Sequence, residues 1–190
     1  MARPKSEDKR NAILTAAVTV MAEFGPAAST ARIAKAAGVA EGSLFTYFAT
    51  KDELMNQLYL EIKSDLREAL LDEEVARAAT PKQAIRLAWH RYVNWGVVNA
   101  EKCKVLAQLS VAECITDATR AEGSQAFGDL VGLLQHCIKN PALLAEPCGF
   151  AGAIMGALAD ATMDFMRRYP AQAEFYCENG FEAFWKALGK

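Results

Sequence analysis

Between residues 30 and 51, hydroxyl groups, small residues and a cation recur at spacings suited to gripping a nucleic-acid duplex. Thr30 and Arg32 sit on one short helical pattern. Gly42, Ser43, Phe45, Thr46 and Tyr47 sit on a second, and Lys51 follows four residues later. Hydroxyls and a lysine donate to phosphate oxygens, and small side chains let a helix come close to base edges. Thr30, Tyr47 and Lys51 are therefore expected to hold phosphates. Gly42, Ser43, Phe45 and Thr46 are expected to approach bases, with Arg32 in the same DNA-facing set.

Two elements must position this set. Ile33, Ala34 and Ala37 form the inner face of a first short helix, and Ala34 is small enough for a second helix to cross closely. Gly38 falls where the chain must leave the first helix through a left-handed conformation. Val39 plugs the corner. Leu44 and Phe48, four residues apart, anchor the second helix on one face. The pattern is that of a helix-turn-helix, whose second helix enters the major groove.

With Arg10-Asn-Ala-Ile-Leu-Thr-Ala-Ala before the motif, Met21-Ala-Glu-Phe-Gly25 closing that helix and Lys51-Asp-Glu-Leu54 after it, the first fifty to sixty residues resemble the TetR family of transcriptional repressors. Trp89-His-Arg-Tyr92-Val-Asn-Trp95-Gly, Thr162-Met-Asp-Phe165 and Phe181-Glu-Ala-Phe-Trp185 further resemble the RamR-type repressors that control multidrug efflux. The resemblance implies a homodimer that binds a palindromic operator and is released by a lipophilic effector. One departure is Phe45, where many family members carry Tyr. A phosphate-directed hydroxyl is lost there, and an apolar contact to a thymine methyl takes its place.

Composition agrees with this reading. The chain has 190 residues, 52% hydrophobic and 23% charged, enough to bury a core. No apolar run is long enough for a membrane span, and the polar start is unlike a signal peptide. Five scattered cysteines without a Cys-x-x-Cys pattern argue against a zinc site or disulfide framework and for a reducing cytoplasm. The net charge of −2 is unevenly distributed. Residues 1–51 hold seven Lys/Arg against four Asp/Glu, and residues 52–190 hold fourteen against nineteen. Positive charge thus collects at the end carrying the motif.

Helical periodicity dominates and predicts an all-α chain of about nine helices. A helix-turn-helix head is expected over 1–51, on a ligand-binding and dimerisation body over 52–190. Ser6 with Glu7 and Asp8 reads as a capped helix start, Thr50-Lys-Asp-Glu53 as a capping box, and Thr80-Pro81 as another start. One helix is expected over about 112–139, and a turn around Asn140-Pro141 and Glu146-Pro147. Near the C-terminus, Gly149, Gly152 and Gly156 with neighbouring alanines form a small-residue face. Phe175, Phe181, Phe184 and Trp185 form an apolar set that wants covering. Gly152, Gly156 and these four aromatics are the expected dimer interface.

No catalytic constellation is present: no nucleophile elbow, no P-loop, no dinucleotide fingerprint and no metal-ligand spacing. No cofactor is expected. Tyr59, Ile62, Lys63 and Leu66 on one helix, with Trp89 and Tyr92 on the next, are the candidate walls of a lipophilic ligand site. Phe127, Phe150 and Met155 would line its far side. These residues could equally be core, and the resemblance tips them toward a pocket. The alternatives are an all-helical enzyme and a redox-sensing regulator using Cys103 or Cys114.

Overall fold

A computed structural model describes residues 6–71, 73–138 and 149–188, with side chains of 149–151 outside the described set. The expected turn at Asn140-Pro141 and Glu146-Pro147 and the side chain of Phe150 lie outside the described residues. Among the described residues are eleven α-helices and one short 3-10 turn. In chain order they are α1 (Glu7–Phe24), α2 (Thr30–Ala36), α3 (Glu41–Tyr47), α4 (Lys51–Leu70), α5 (Glu73–Ala76), α6 (Pro81–Val98), α7 (Ala100–Ser110), α8 (Asp117–Gln125), α9 (Gly128–Cys137), α10 (Gly149–Arg168) and α11 (Ala173–Ala187).

The chain forms two compact units, residues 1–64 with 100–125, and residues 65–99 with 126–190. The helix-turn-helix head therefore shares its unit with the first part of α4 and with α7 and α8. The expected boundary at 51/52 falls inside this first unit.

The first unit is built on α1, whose Ile13, Ala17 and Met21 are fully buried. α1 packs on α2 and α7. Its C-terminal end is held by Lys104, whose ammonium donates to the Ala22 carbonyl at 2.6 Å, a cation placed where helix carbonyls are exposed. Ser6 is the N-cap residue but makes no side-chain cap. Its amide instead donates to the Tyr47 hydroxyl at 3.2 Å, tying α1 to α3. Asn56 of α4 clasps the loop before α8. Its amide nitrogen donates to the Cys114 carbonyl at 2.7 Å, and its oxygen accepts from the Thr116 amide at 3.0 Å. Arg120 closes the same loop by donating to the carbonyls of Ser110 and Ala112.

One capping device occurs twice. Thr50 accepts from the Glu53 amide at 3.0 Å, while Glu53 accepts from the Ala49 amide at 2.7 Å. Thr80 accepts from the Gln83 amide at 3.2 Å, while Gln83 accepts from the Ala79 amide at 3.3 Å. Each is a capping box in which the returning side chain reaches one residue further back than the usual N-cap amide.

The single helix expected over 112–139 is two. Thr116 caps a new start by accepting from the Thr119 amide at 3.1 Å. The chain then leaves helical geometry at Phe127 (φ −109°, ψ 14°) before Gly128 begins α9. The four-residue α5 was not expected, being too short to show a period.

In the second unit α10 packs on α11 and α6, and α6 also packs on α5, α9 and α11. Its centre is Trp89, which is 1% exposed. The indole stacks on Phe184 with centroids 5.6 Å apart and an interplanar angle of 11°, and its N–H donates to the Cys177 carbonyl at 3.0 Å. α11 approaches closely at Gly180, where an added Cβ would meet Thr162 and the Trp89 ring. Desolvation raises the Cys177 thiol to about 12, so it stays protonated and unreactive. No helix of the described residues is long and apolar enough to cross a membrane.

Candidate DNA interface and effector cavity

The turn between α2 and α3 is a Schellman motif. Gly38 adopts φ +68°, its amide donates to Lys35 at 3.2 Å, and the Val39 amide donates to Ala34 at 3.0 Å. An added Cβ at Gly38 would meet nothing within 4 Å, so only the backbone conformation resists substitution. Gly38→Ala is therefore expected to lower stability by about 1–2 kcal/mol, read as a lower midpoint of thermal unfolding. An unchanged midpoint would mean that the turn relaxes to negative φ.

Around this turn, Ile33, Ala34, Leu44 and Phe48 are buried, and α3 turns its other side outward. Gly42, Ser43 and Thr46 are exposed, and Phe45 is 42% exposed. Thr46 Oγ1 donates back to the Gly42 carbonyl at 3.3 Å. Tyr47 and Lys51 are half-buried, at the end of α3 and the start of α4. Thr30 is half-buried and donates to Glu41 at 2.7 Å. That contact links the starts of α2 and α3 and leaves Glu41 negative beside the outward face. Arg32 is exposed, with its guanidinium 4.1 Å from the centroid of the Phe24 ring. The sequence reading missed both this rest for Arg32 and the Tyr47–Ser6 contact, because each joins residues far apart in the chain or on different helices.

The candidate ligand residues divide between the two units. Tyr59, Ile62 and Lys63 belong to the first. Tyr59 and Ile62 are buried, and Gly123 of α8 comes so close that an added Cβ would stand 2.7 Å from Tyr59 Cε1. Burial pushes the Tyr59 phenol up, against the pull of Arg120 and a hydrogen bond with Ser110, and it pushes the Lys63 ammonium down. Leu66, Trp89, Tyr92, Phe127 and Met155 belong to the second unit. Leu66 is buried, and Tyr92, Phe127 and Met155 are half-buried. Trp89 is a correction. It is 1% exposed, its ring stacks on Phe184 and its N–H is taken by the Cys177 carbonyl, so within this chain it packs as core.

The second unit does contain a cavity, of about 360 Å³, between the end of α4, α5, the start of α6 and α9. Leu71, Val75, Ala84, Leu130 and Leu133 supply apolar wall, and Arg67 and Asp129 lie at its edge. None of the eight residues expected to bind ligand lines it. The signal that could have found it is the alanine-rich stretch Ala76–Ala79 before Thr80-Pro81, where small side chains leave space.

The expected interface divides as well. Phe181 and Phe184 are fully buried and Trp185 is 8% exposed, so these three are corrected to intrachain core: α11 turns them onto α6 and α10. Phe175 is 61% exposed, Gly152 is exposed and Gly156 half-buried. Phe175 touches Tyr176, which also contacts Phe165 and Tyr169, forming an outward aromatic patch where α10 meets α11.

His90, Glu174 and Glu178 bring ligand atoms within 4.8 Å of one another. His90 Nε2 lies 3.0 Å from Glu178 Oε1, and the Arg86 guanidinium holds the same oxygen at 2.5 Å. Arg86 keeps the Glu178 carboxyl below its ordinary range. An arginine already seated there makes this a closed ion network and a poor cation site.

Residues 13–58 match the family described as bacterial regulatory proteins, tetR family. The structure of a TetR family transcription regulator from Shewanella sp. PV-4 superposes over 94% of this chain and 97% of its own, with a TM-score of 0.79 and 24% identity. Over residues 13–58 the chain thus matches the N-terminal model of the tetR family, and its whole length shares the fold of solved structures of that type. The fold is all-α with its helix-turn-helix at the N-terminus. The fatty acid metabolism regulator protein of Bacillus subtilis (strain 168) is 37% identical over 76 residues. That match spans 40% of this chain and 39% of the relative. The Mycobacterium smegmatis regulator LfrR, solved with proflavine, covers 97% of the chain with a TM-score of 0.64 at 21% identity.

Proposed function

We propose that this chain is a homodimeric TetR-family repressor that binds a palindromic operator and is released by a lipophilic effector. The observation that carries the reading is the outward face of α3, where Gly42, Ser43, Phe45 and Thr46 are exposed on a helix fixed from behind by Leu44 and Phe48. Thr30, Arg32, Tyr47 and Lys51 flank that face as phosphate contacts. Dimerisation is supported by the small-residue face of α10 beside the aromatic patch of Phe165, Tyr169 and Phe175. Such a surface fits a second copy, and paired recognition helices then match a two-fold operator. The relatives point to two kinds of effector, one named for fatty acid metabolism and one solved with proflavine. Control of multidrug efflux and control of lipid metabolism are the corresponding regulons, and the RamR-type resemblance favours the first. The cytoplasm is the compartment this function requires.

Lys51→Ala tests the DNA reading. On a duplex selected from a random pool, the variant is expected to bind every sequence more weakly and to flatten the dependence of log K on log salt by about one unit. A changed base preference with an unchanged salt slope would remove Lys51 from the phosphate contacts. Gly156→Leu tests the dimer. It should shift wild-type dimer toward monomer in equilibrium sedimentation and abolish operator binding, and a monomeric wild type at micromolar concentration would refute the assembly.

A further inference from the structure

The cavity of the second unit has an asymmetry that specifies a ligand. Its wall is mostly aliphatic, from Leu71, Val75, Ala84, Leu130 and Leu133. Two charged side chains edge it, and their surroundings differ. Asp129 lies in the first turn of α9, where the helix's own amides already offset a negative charge. Arg67 lines the cavity and is anchored through its Nε, which donates to the Ala126 carbonyl at 2.9 Å. The cavity also meets the start of α6 at Thr80 and Pro81, which adds positive potential. A volume of about 360 Å³ lies within the range of small-molecule sites.

We propose that this cavity is the effector site and that it takes a single-chain amphiphile with an anionic head, its alkyl chain against the aliphatic wall and its head on Arg67. The inference rests on the repressor reading above and adds to it the site and the ligand class. A fixed guanidinium fork matches a carboxylate or phosphate in bidentate geometry. The wall offers no flat aromatic ring to stack a planar cation, and its shape suits a flexible chain. The space adjoins α5, the short link between α4 and α6.

The test is titration calorimetry on the full chain with saturated carboxylates from octanoate to hexadecanoate, below their micellar concentrations. Dodecanoyl-coenzyme A is the arm that separates a free acid from a thioester as the source of the chain, and dodecyltrimethylammonium is the cationic control. Affinity is expected to rise about fourfold per methylene and then level off once the cavity is full. Arg67→Gln should weaken the anionic probes about tenfold and leave dodecanol unaffected. Ala84→Leu, with folding checked by circular dichroism, should lower the chain length at which affinity levels off. Equal or tighter binding of the ammonium probe, or Arg67→Gln binding carboxylates as wild type does, would overturn the proposal. Operator release is followed in parallel on the selected duplex. If proflavine releases the operator while Arg67→Gln and Ala84→Leu respond as wild type does, the site is wrong and the repressor reading stands. If neither these amphiphiles nor proflavine shifts operator binding, effector release itself fails.

Discussion

Trp89→Ala is expected to destabilise the second unit by about 3–5 kcal/mol, the cost of emptying a fully packed aromatic site. The indole is 1% exposed, lies flat on Phe184 and donates to the Cys177 carbonyl. Truncation removes the stack and leaves that carbonyl without its donor. Trp89→Phe keeps most of the volume and isolates the hydrogen bond, with an expected loss of about 1–3 kcal/mol. Urea unfolding monitored by circular dichroism measures both. A Trp89→Ala midpoint indistinguishable from wild type would mean that the indole is not central to this core. The same packing makes Trp89→Ala a poor probe of effector binding, since lower affinity would follow from a loosened core alone.

Gly180→Ala carries the next largest effect, and its sign is opposite to helix propensity. In an unconstrained helix interior the change would gain about 1 kcal/mol. Here the new Cβ would overlap Thr162 Oγ1 and stand 2.9 Å from Trp89 Cζ2. Neither neighbour can retreat easily. Thr162 Oγ1 donates to the Leu158 carbonyl at 2.7 Å, and the indole is fixed by its stack on Phe184 and its hydrogen bond to the Cys177 carbonyl. Overpacking of this kind costs about 1–3 kcal/mol and should dominate. A variant more stable than wild type in urea would show that α11 can move away from α10 without penalty.

The head was legible in the sequence because its signals are local. Gly38 at its left-handed turn, the Thr50 cap and the buried faces of α2 and α3 each depend on residues a few positions apart. The body was less legible for the same reason. Periodicity places Phe181, Phe184 and Trp185 on an apolar face of α11, but it does not say whether that face meets α6 or a second copy. Phe175, on the same helix, is left outside. Trp89 posed the same problem, since an aromatic on an inner face reads alike as core or as ligand wall. The break between α8 and α9 was hidden because Phe127-Gly128 has a helix-compatible period on either side, and α5 is shorter than two turns. The cavity is a property of missing volume, which no single residue announces.

All three tryptophans of the chain, Trp89, Trp95 and Trp185, fall in the second unit and are buried there. The unit that carries the helix-turn-helix holds none. Intrinsic fluorescence excited selectively at the indole band is therefore blind to the DNA-reading head and records only the body. Circular dichroism, by contrast, averages over helices of both units. Coincident denaturation curves from the two probes would make the protein one cooperative block, whereas a dichroic transition preceding the fluorescent one would identify the head as the part that melts first.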